Sequence, residues 1–265
     1  MKLPITLIAG ILISLHSFGQ TITIKRNSII TWDSTNAPKA LDTLILESNS
    51  TLVLKTNIKL VVGVFKVGEN VKINAQGSNG SGGTNYTGSK SRRKHGHGRG
   101  SDGEAGGSGT SGTNGFEFKI QTGLFEFGSI EINTSGGHGG KGGNAQGGGK
   151  GTNGSCDGHS GGAGGNGGKG GNGGSGGSAA RILIAFNKIK QNDGAQLGVD
   201  IKWIANGGKA GAFGNGGSGG SGGNSANCGL SKQKGGNGGN AGDPGSKGGN
   251  GSSFNLTEAE WLKYN

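Results

Sequence analysis

Glycine recurs at every third position along several runs of this chain, and this phase restricts the fold more than any other feature. Unbroken runs cover residues 158–176, 208–223 and 236–251. A flexible Gly/Ser linker has no need of such a phase. The collagen triple helix would keep it but needs abundant proline, and the 265 residues include 3. This collagen-like repeat therefore predicts a different ordered structure with three residues per turn.

Most of the glycine lies in three tracts, residues 77–115, 136–178 and 207–252, which hold 58 of the 66 glycines. A three-residue period suits a left-handed helix of the polyproline II type, whose backbone amides and carbonyls point outward without internal partners. Such helices can bond to one another only where missing side chains let the backbones approach closely. We therefore expect each tract to run out and back, which gives six antiparallel segments.

The sequence between the tracts alternates apolar and polar residues, which predicts short β-strands. VKINAQG, IEINTSG and IKWIANG are similar segments that each end a strand and open a glycine tract. The stretches 116–135 and 179–206 are about as long as one rung of a parallel β-solenoid. We therefore predict an all-β fold: a short parallel β-solenoid with three Gly-rich insertions that leave the same corner.

Two resemblances add to this prediction. GGAGGNGGKGGNGGSGG, residues 161–177, resembles the polyglycine II helix bundles of springtail antifreeze proteins and of certain phage tail-tip adhesins. Residues 41–83 resemble the Gly-terminated rungs of bacterial haemagglutinin-like β-helix proteins. Together they imply a polyglycine II bundle inserted in a β-helix, and the antifreeze resemblance implies ice binding as one function. No set of functional residues carries over from these families.

The ends of the chain carry two further signals. Lys2 followed by an apolar run over residues 3–15 predicts an export signal, with a buried N-terminal strand as the alternative. Thr257 and Glu260 form a capping box that predicts a short C-terminal helix over the last rung. The predicted organisation is a signal peptide at 1–19, N-terminal rungs at 20–76, arm 1 at 77–115, a rung at 116–135, arm 2 at 136–178, a rung at 179–206, arm 3 at 207–252 and a capping helix at 253–265.

The two cysteines lie at equivalent places in two arms. Cys156 lies as far along the chain from Gly136, which opens arm 2, as Cys228 lies from Gly208 at the start of arm 3. Both should therefore lie at arm tips at equal height, and in an exported chain this pairing predicts a disulfide. Two free thiols are the alternative. His159 lies near Cys156, but no further ligand stands at metal-site spacing, so we expect no metal site.

The tip of arm 1 is the most basic part of a chain whose formal net charge is +11. No glycine phase extends between Gly83 and Gly100, so this tip should be less ordered than the others. Its charges point to phosphate or carboxylate groups of an acidic polysaccharide or an anionic cell surface. A solvated loop that only keeps the protein soluble is the alternative. The candidate binding residues are Lys90, Arg92, Arg93, Lys94, His95, His97 and Arg99.

No enzyme motif is convincing. GxGxxG matches arise by chance in such a composition, and the phosphate-loop GK[ST] is missing. Glu117, Glu126 and Glu131 alternate with apolar residues and are expected on outer strand faces. Tyr86 alone among aromatic residues lies close to the basic tip, which does not favour nucleic-acid binding.

These features predict a secreted or surface-associated protein of a structural or adhesive kind. We expect no catalytic activity, no cofactor and no transmembrane segment, and self-association stays open. Ice binding is the alternative, although charged outer residues such as Lys169 argue against the weakly polar face that it needs.

Overall fold

The computed structural model describes residues 19–90, 98–191, 200–228 and 231–233. Within these ranges β-strand is the only regular secondary structure. The strands are Thr21–Ile24 (β1), Ile29–Trp32 (β2), Ala40–Leu46 (β3), Thr51–Leu54 (β4), Ile58–Val67 (β5), Val71–Asn74 (β6), Phe118–Phe127 (β7), Ile130–Asn133 (β8), Ile182–Gln191 (β9), Ile201–Ile204 (β10), Ala226–Cys228 (β11) and Ser231–Gln233 (β12). The C-terminal helix prediction and all but the last residue of the export-signal prediction fall outside the described residues.

The first ten strands form two parallel sheets, which we call the strand stack. The strand orders are β1-β3-β5-β7-β9 and β10-β8-β6-β4-β2, so each turn of the chain adds one strand to each sheet. All pairings within both sheets are parallel. β11 and β12 form a separate antiparallel pair. The prediction of an all-β fold with parallel strands is therefore confirmed.

The core of the strand stack contains buried side chains from both sheets, and aromatic rings fill part of it. Phe65 of β5 and Phe125 of β7 are in register, and their rings stack with centroids 5.3 Å apart. Phe186 of β9 continues this group, with its ring 6.2 Å from that of Phe125. Full burial of a side chain of this size stabilises a fold by about 1.5–3 kcal/mol. The stack is therefore a packed base from which the arms can project.

Glu47 connects two successive turns of the stack. Its carboxylate accepts a hydrogen bond from the backbone N–H of Arg26 at 2.8 Å and pairs with the ammonium of Lys25 at 3.3 Å. The Arg26 amide, assisted by the Lys25 ammonium, holds the pKa of Glu47 below its ordinary value of 4.5. Because the folded state favours the charged carboxylate, this group stabilises the fold above pH 4.5 and loses that effect as the pH falls through the lowered pKa.

We expect Glu47→Gln to be less stable than the wild type at pH 7, with a difference that shrinks as the pH falls below about 4. The glutamine is neutral and gains no stability from the Arg26 amide and the Lys25 ammonium through charge. Lowering the pH therefore removes no stabilisation at this position in the variant. Urea midpoints of both proteins at pH 7, 5 and 3.5 measure this trend. A stability difference that stays constant over this range would contradict the assignment.

The three arms leave the strand stack side by side. Asn74 at the end of β6, Asn133 at the end of β8 and Ile204 at the end of β10 are in register, and an arm follows each of them. Arm 1 returns where the N–H of Phe116 donates to the carbonyl of Ala75 at 2.7 Å. The stack therefore sets the relative heights of the arms at their bases.

Apart from residues near the tips of arms 2 and 3, the described parts of the arms are five segments outside the strands of the stack. Their residues are 77–90 (segment 1), 98–115 (segment 2), 136–154 (segment 3), 161–178 (segment 4) and 207–224 (segment 5). Segments 1, 3 and 5 run away from the stack, and segments 2 and 4 run back. Backbone hydrogen bonds are parallel in pattern within each group and antiparallel between the groups. The segments therefore form an outgoing layer and a returning layer.

Segment 3 shows how the layers are joined. The N–H of Gly139 donates to the carbonyl of Lys209 on segment 5 at 2.9 Å, and the equivalent bond recurs at every third residue over 136–154. One position further, the N–H of Gly140 donates to the carbonyl of Thr110 on segment 2 at 2.8 Å, again with a period of three. Different positions of one triplet thus bind different neighbours.

Glycine is required at the inward positions because the backbones nearly touch there. A Cβ atom added to Gly140 would lie 1.9 Å from the carbonyl oxygen of Ser81, and similar distances recur at glycines of every segment. At the outward position of Gly82 the nearest atom, the carbonyl oxygen of Lys141, is 3.7 Å away. The glycine phase of the sequence therefore marks the contact surfaces between segments.

The ladder along segment 1 runs further than the glycine phase predicts. Beyond Gly83, the N–H of Tyr86 donates to the carbonyl of Asn144 at 2.9 Å, and the N–H of Lys90 donates to that of Gly147 at 2.9 Å. The ladder therefore continues to Lys90, seven residues beyond the last phased glycine of this segment. Between these two bonds segment 1 advances four residues, from Tyr86 to Lys90, whereas segment 3 advances three, from Asn144 to Gly147.

The extra residue lies opposite Gln146, which occupies an inward position of segment 3. Neighbouring inward positions of that segment are glycine, and the Gln146 side chain needs space that a close-packed segment 1 would deny it. Gly88 takes a positive φ of 76° in the interval, and glycine adopts this conformation without steric cost. The Gln146 Oε1 atom is buried and has no hydrogen-bond partner among the described residues. We infer that segment 1 bulges to admit this side chain.

Gly140→Ala should lower the free energy of unfolding by roughly 1–3 kcal/mol or more, because the new methyl group must push segments 1 and 3 apart. Gly82→Ala is the matched control, because an outward methyl group meets no atom closer than ordinary contact distance. Denaturant unfolding of both variants and the wild type measures the difference. Equal stabilities of the two variants would show that close backbone contact at the inward positions does not explain why glycine recurs at every third residue.

Candidate functional site

The far ends of arms 2 and 3 are joined covalently. Cys156 and Cys228 form a disulfide across 72 residues of sequence, as their equal spacing predicts. Cys228 ends β11, which pairs with β12 in a short hairpin beyond segment 5. Two neighbouring arms are therefore fixed to each other at the end remote from the strand stack as well as at their bases.

The described residues that flank the basic tip of arm 1 contact the outer part of segment 3, before the disulfide. Lys90 bonds to Gly147 on the outgoing side. On the returning side, the N–H of Gly98 donates to the Oγ1 of Thr152 at 2.8 Å, and the N–H of Thr152 donates to the carbonyl of Gly98 at 3.2 Å. Thr152 precedes the disulfide cysteine by four residues. The candidate residues Arg92, Arg93, Lys94, His95 and His97 lie outside the described residues.

The two described cations of the tip are paired with acids of segment 2. The Lys90 ammonium contacts the Glu104 carboxylate, and the Arg99 guanidinium contacts the Asp102 carboxylate at 2.8 Å. All four side chains are exposed to a third or more, so each pair contributes little to stability. Sequence reasoning missed these pairs because the acids follow the basic run. The other positive charges of the predicted tip belong to residues between Lys90 and Gly98.

The outgoing layer presents a ladder of side chains to solvent. Asn79 Oδ1 accepts the N–H of His138 at 2.8 Å, and His138 Nδ1 accepts the N–H of Lys209 at 2.9 Å. Two triplets further out, Asn85 Oδ1 and Asn144 Oδ1 accept equivalent backbone N–H groups. We call this surface the outgoing face. Its residues are Asn79, Gly82, Asn85 and Gly88 of segment 1, His138, Lys141, Asn144, Gly147, Lys150 and Asn153 of segment 3, and Lys209, Ala212, Asn215, Ser218, Ser221 and Asn224 of segment 5.

The returning layer has a corresponding face with a different charge pattern. Asp102 Oδ1 accepts the N–H of Asn166 at 2.6 Å, and Asn114 Oδ1 accepts the N–H of Ser178 at 2.8 Å. This face carries acid and base together, whereas the described outgoing face carries lysines and a histidine but no acid. Sequence reasoning recognised outward triplet positions but did not separate the two faces. Whether an outward residue lies on the outgoing or the returning face depends on which layer its segment joins.

The candidate carboxylates of the strands do not converge on one site. Glu126 pairs with Lys66 at 3.1 Å and lies 3.7 Å from the ammonium of Lys190, and Glu131 pairs with Lys202 at 2.8 Å. Glu117 likewise pairs with a lysine, two residues further along the chain. Each carboxylate is thus held by lysine in a separate ion pair.

Neither a metal site in the described part of the chain nor a similar protein indicates a function. Among the described residues no group of three or more His, Cys, Asp or Glu side chains is placed to hold a metal ion. In the same part of the chain no helix is long and apolar enough to cross a membrane. No protein-family model, curated protein or solved structure matches this chain.

Replacing both cysteines by serine should lower the free energy of unfolding by about 4 kcal/mol, because the unfolded chain regains the freedom of a 72-residue loop. Peptide mapping of the wild type without reducing agent should recover the linked peptides that contain Cys156 and Cys228. Denaturant unfolding then compares the wild type with the double variant. Recovery of both cysteines as free thiols would contradict the pairing.

Proposed function

We propose that this chain is an exported, non-enzymatic structural or adhesive protein in which a β-solenoid carries a bundle of polyglycine II helices. The three-residue hydrogen-bond period and the glycine contacts support the helix type, because such helices direct their amides and carbonyls to neighbours. The parallel strand order supports the solenoid. The disulfide is typical of proteins that reach an oxidising compartment, which supports export.

The observation that carries the adhesive role is that Lys90 and Gly98, the described residues that flank the basic loop, bond to the outer part of segment 3. Gly98, where the loop ends, exchanges hydrogen bonds with Thr152 four residues before the disulfide. At about 3.1 Å per residue, residues 77–90 of segment 1 reach roughly 40 Å and residues 98–115 of segment 2 roughly 50 Å. We therefore assign the contact with another surface to this end of arm 1.

The partner that this loop fits is an acidic polysaccharide or an anionic cell surface. Its residues Arg92, Arg93 and Lys94 are consecutive cations, and both described acids close to the loop are already paired with Lys90 and Arg99. Arginine binds carboxylate and phosphate groups through paired hydrogen bonds as well as charge. The scarcity of aromatic residues near the loop argues against single-stranded nucleic acid as the partner.

Ice binding is the second candidate, because the outward side chains repeat every three residues on both faces. Ser108, Ser111 and Ser175 give the returning face small, weakly polar positions. Lys169 on that face and the lysines of the outgoing face oppose it. A freezing-point gap between ice growth and melting would favour this candidate over adhesion.

The variant Arg92→Ser, Arg93→Ser, Lys94→Ser, the tip triple, should bind anionic lipid vesicles and acidic polysaccharides about tenfold more weakly than the wild type at low salt. The loss should diminish as salt screens the remaining attraction. The control is Lys39→Ser, Lys55→Ser, Lys72→Ser, which removes the same charge from exposed lysines of the strand stack. Equal binding by the two variants across a salt series would refute the role of the tip.

A further inference from the structure

The outgoing face combines positive charge with a fixed backbone. Lys141, Lys150 and Lys209 are exposed, and none of the three forms an ion pair with another described residue. In the strand stack, Lys66, Lys190 and Lys202 contact carboxylates, whereas Lys39, Lys55 and Lys72 form no ion pair with another described residue. The positive charges of the outgoing face are therefore not neutralised by described neighbours.

The spacing of these lysines selects the kind of partner. Lys141 and Lys150 lie nine residues apart on segment 3, which corresponds to about 28 Å at roughly 3.1 Å per residue. Lys209 bonds to His138, one triplet from Lys141, so it lies near the stack end of this line. One small anion cannot reach both Lys141 and Lys150, whereas an extended polymer with repeated charges can contact both.

The asparagines between the lysines add hydrogen-bonding groups suited to sugars. Asn144 Oδ1 accepts the N–H of Asn215, and Asn85 Oδ1 accepts the N–H of Asn144, so these side chains are held in place through their oxygens. Their amide NH₂ groups are the remaining donors, and hydroxyl and carboxylate oxygens are suitable acceptors. None of the residues that define this face has an aromatic or large apolar side chain, although the exposed Tyr86 and Phe213 occupy neighbouring triplet positions of segments 1 and 5.

We propose that the outgoing face binds a linear polyuronate, a carboxylated polysaccharide that lies along segment 3. Carboxylates of the polymer contact Lys141, Lys150 and Lys209, and its hydroxyl groups bind the asparagine amides between them. This proposal rests on the proposed function for the class of partner, and it adds a second contact surface that the basic tip does not include.

The test compares three variants with the wild type for binding to polygalacturonate, with neutral dextran as the negative probe. The face triple is Lys141→Ser, Lys150→Ser, Lys209→Ser, and the tip triple and the stack control are those described above. We expect the face triple to bind polygalacturonate at least tenfold more weakly and with a flatter salt dependence, and the stack control to bind like the wild type. Trigalacturonate, which is too short to reach from Lys141 to Lys150, should bind the wild type more weakly per molecule than the polymer does.

Two further measurements keep the outcome unambiguous. Denaturant midpoints establish that each variant is folded, and the variant Lys141→Arg, Lys150→Arg, Lys209→Arg should keep its affinity because it keeps the charge. If the tip triple loses binding and the face triple does not, the face proposal is wrong and the proposed function stands. If no variant loses binding, both are wrong.

Discussion

The arms depend on backbone hydrogen bonds that no segment can make alone. Within segment 3, the N–H of Gly139 reaches segment 5 and that of Gly140 reaches segment 2, so removing one neighbour leaves a column of amides without partners. A buried amide without a partner costs about 1–3 kcal/mol. Ordering glycine also costs more conformational entropy than ordering any other residue. Each segment is therefore stable only in the presence of the others.

The strand stack aligns the bases of the arms, so that segments which depend on one another start next to one another. Asn74 and Asn133 are in register in their sheet, so the arms that follow them start at matching heights. The first hydrogen bonds of each ladder then form between residues that are already adjacent, and the next triplets can follow in order. The disulfide between Cys156 and Cys228 fixes the opposite end. Register is thus set at both ends of arms 2 and 3.

Sequence alone predicted the parts of this structure that repeat. Alternation of apolar and polar residues predicted the strands. The equal spacing of Cys156 from Gly136 and of Cys228 from Gly208 predicted the cysteine pair, because equal numbers of residues along two regular segments end at equal distances from the stack. It did not predict the irregular parts. The bulge opposite Gln146 depends on which segments are neighbours. The lysine surface of the outgoing layer depends on the same information, which no single tract contains.

The constant offset along the ladders limits how arms of this kind can change in length. The sequence separation between a donor of segment 3 and its acceptor on segment 5 is the same from the pair Gly136 and Asn206 to the pair Gly154 and Asn224. An insertion of one or two residues in one segment would shift every later glycine out of its contact. Length can therefore change in whole triplets added to all neighbouring segments together, or through a local bulge at a glycine. Growth by duplication of three-residue units is the route that leaves every existing contact in place.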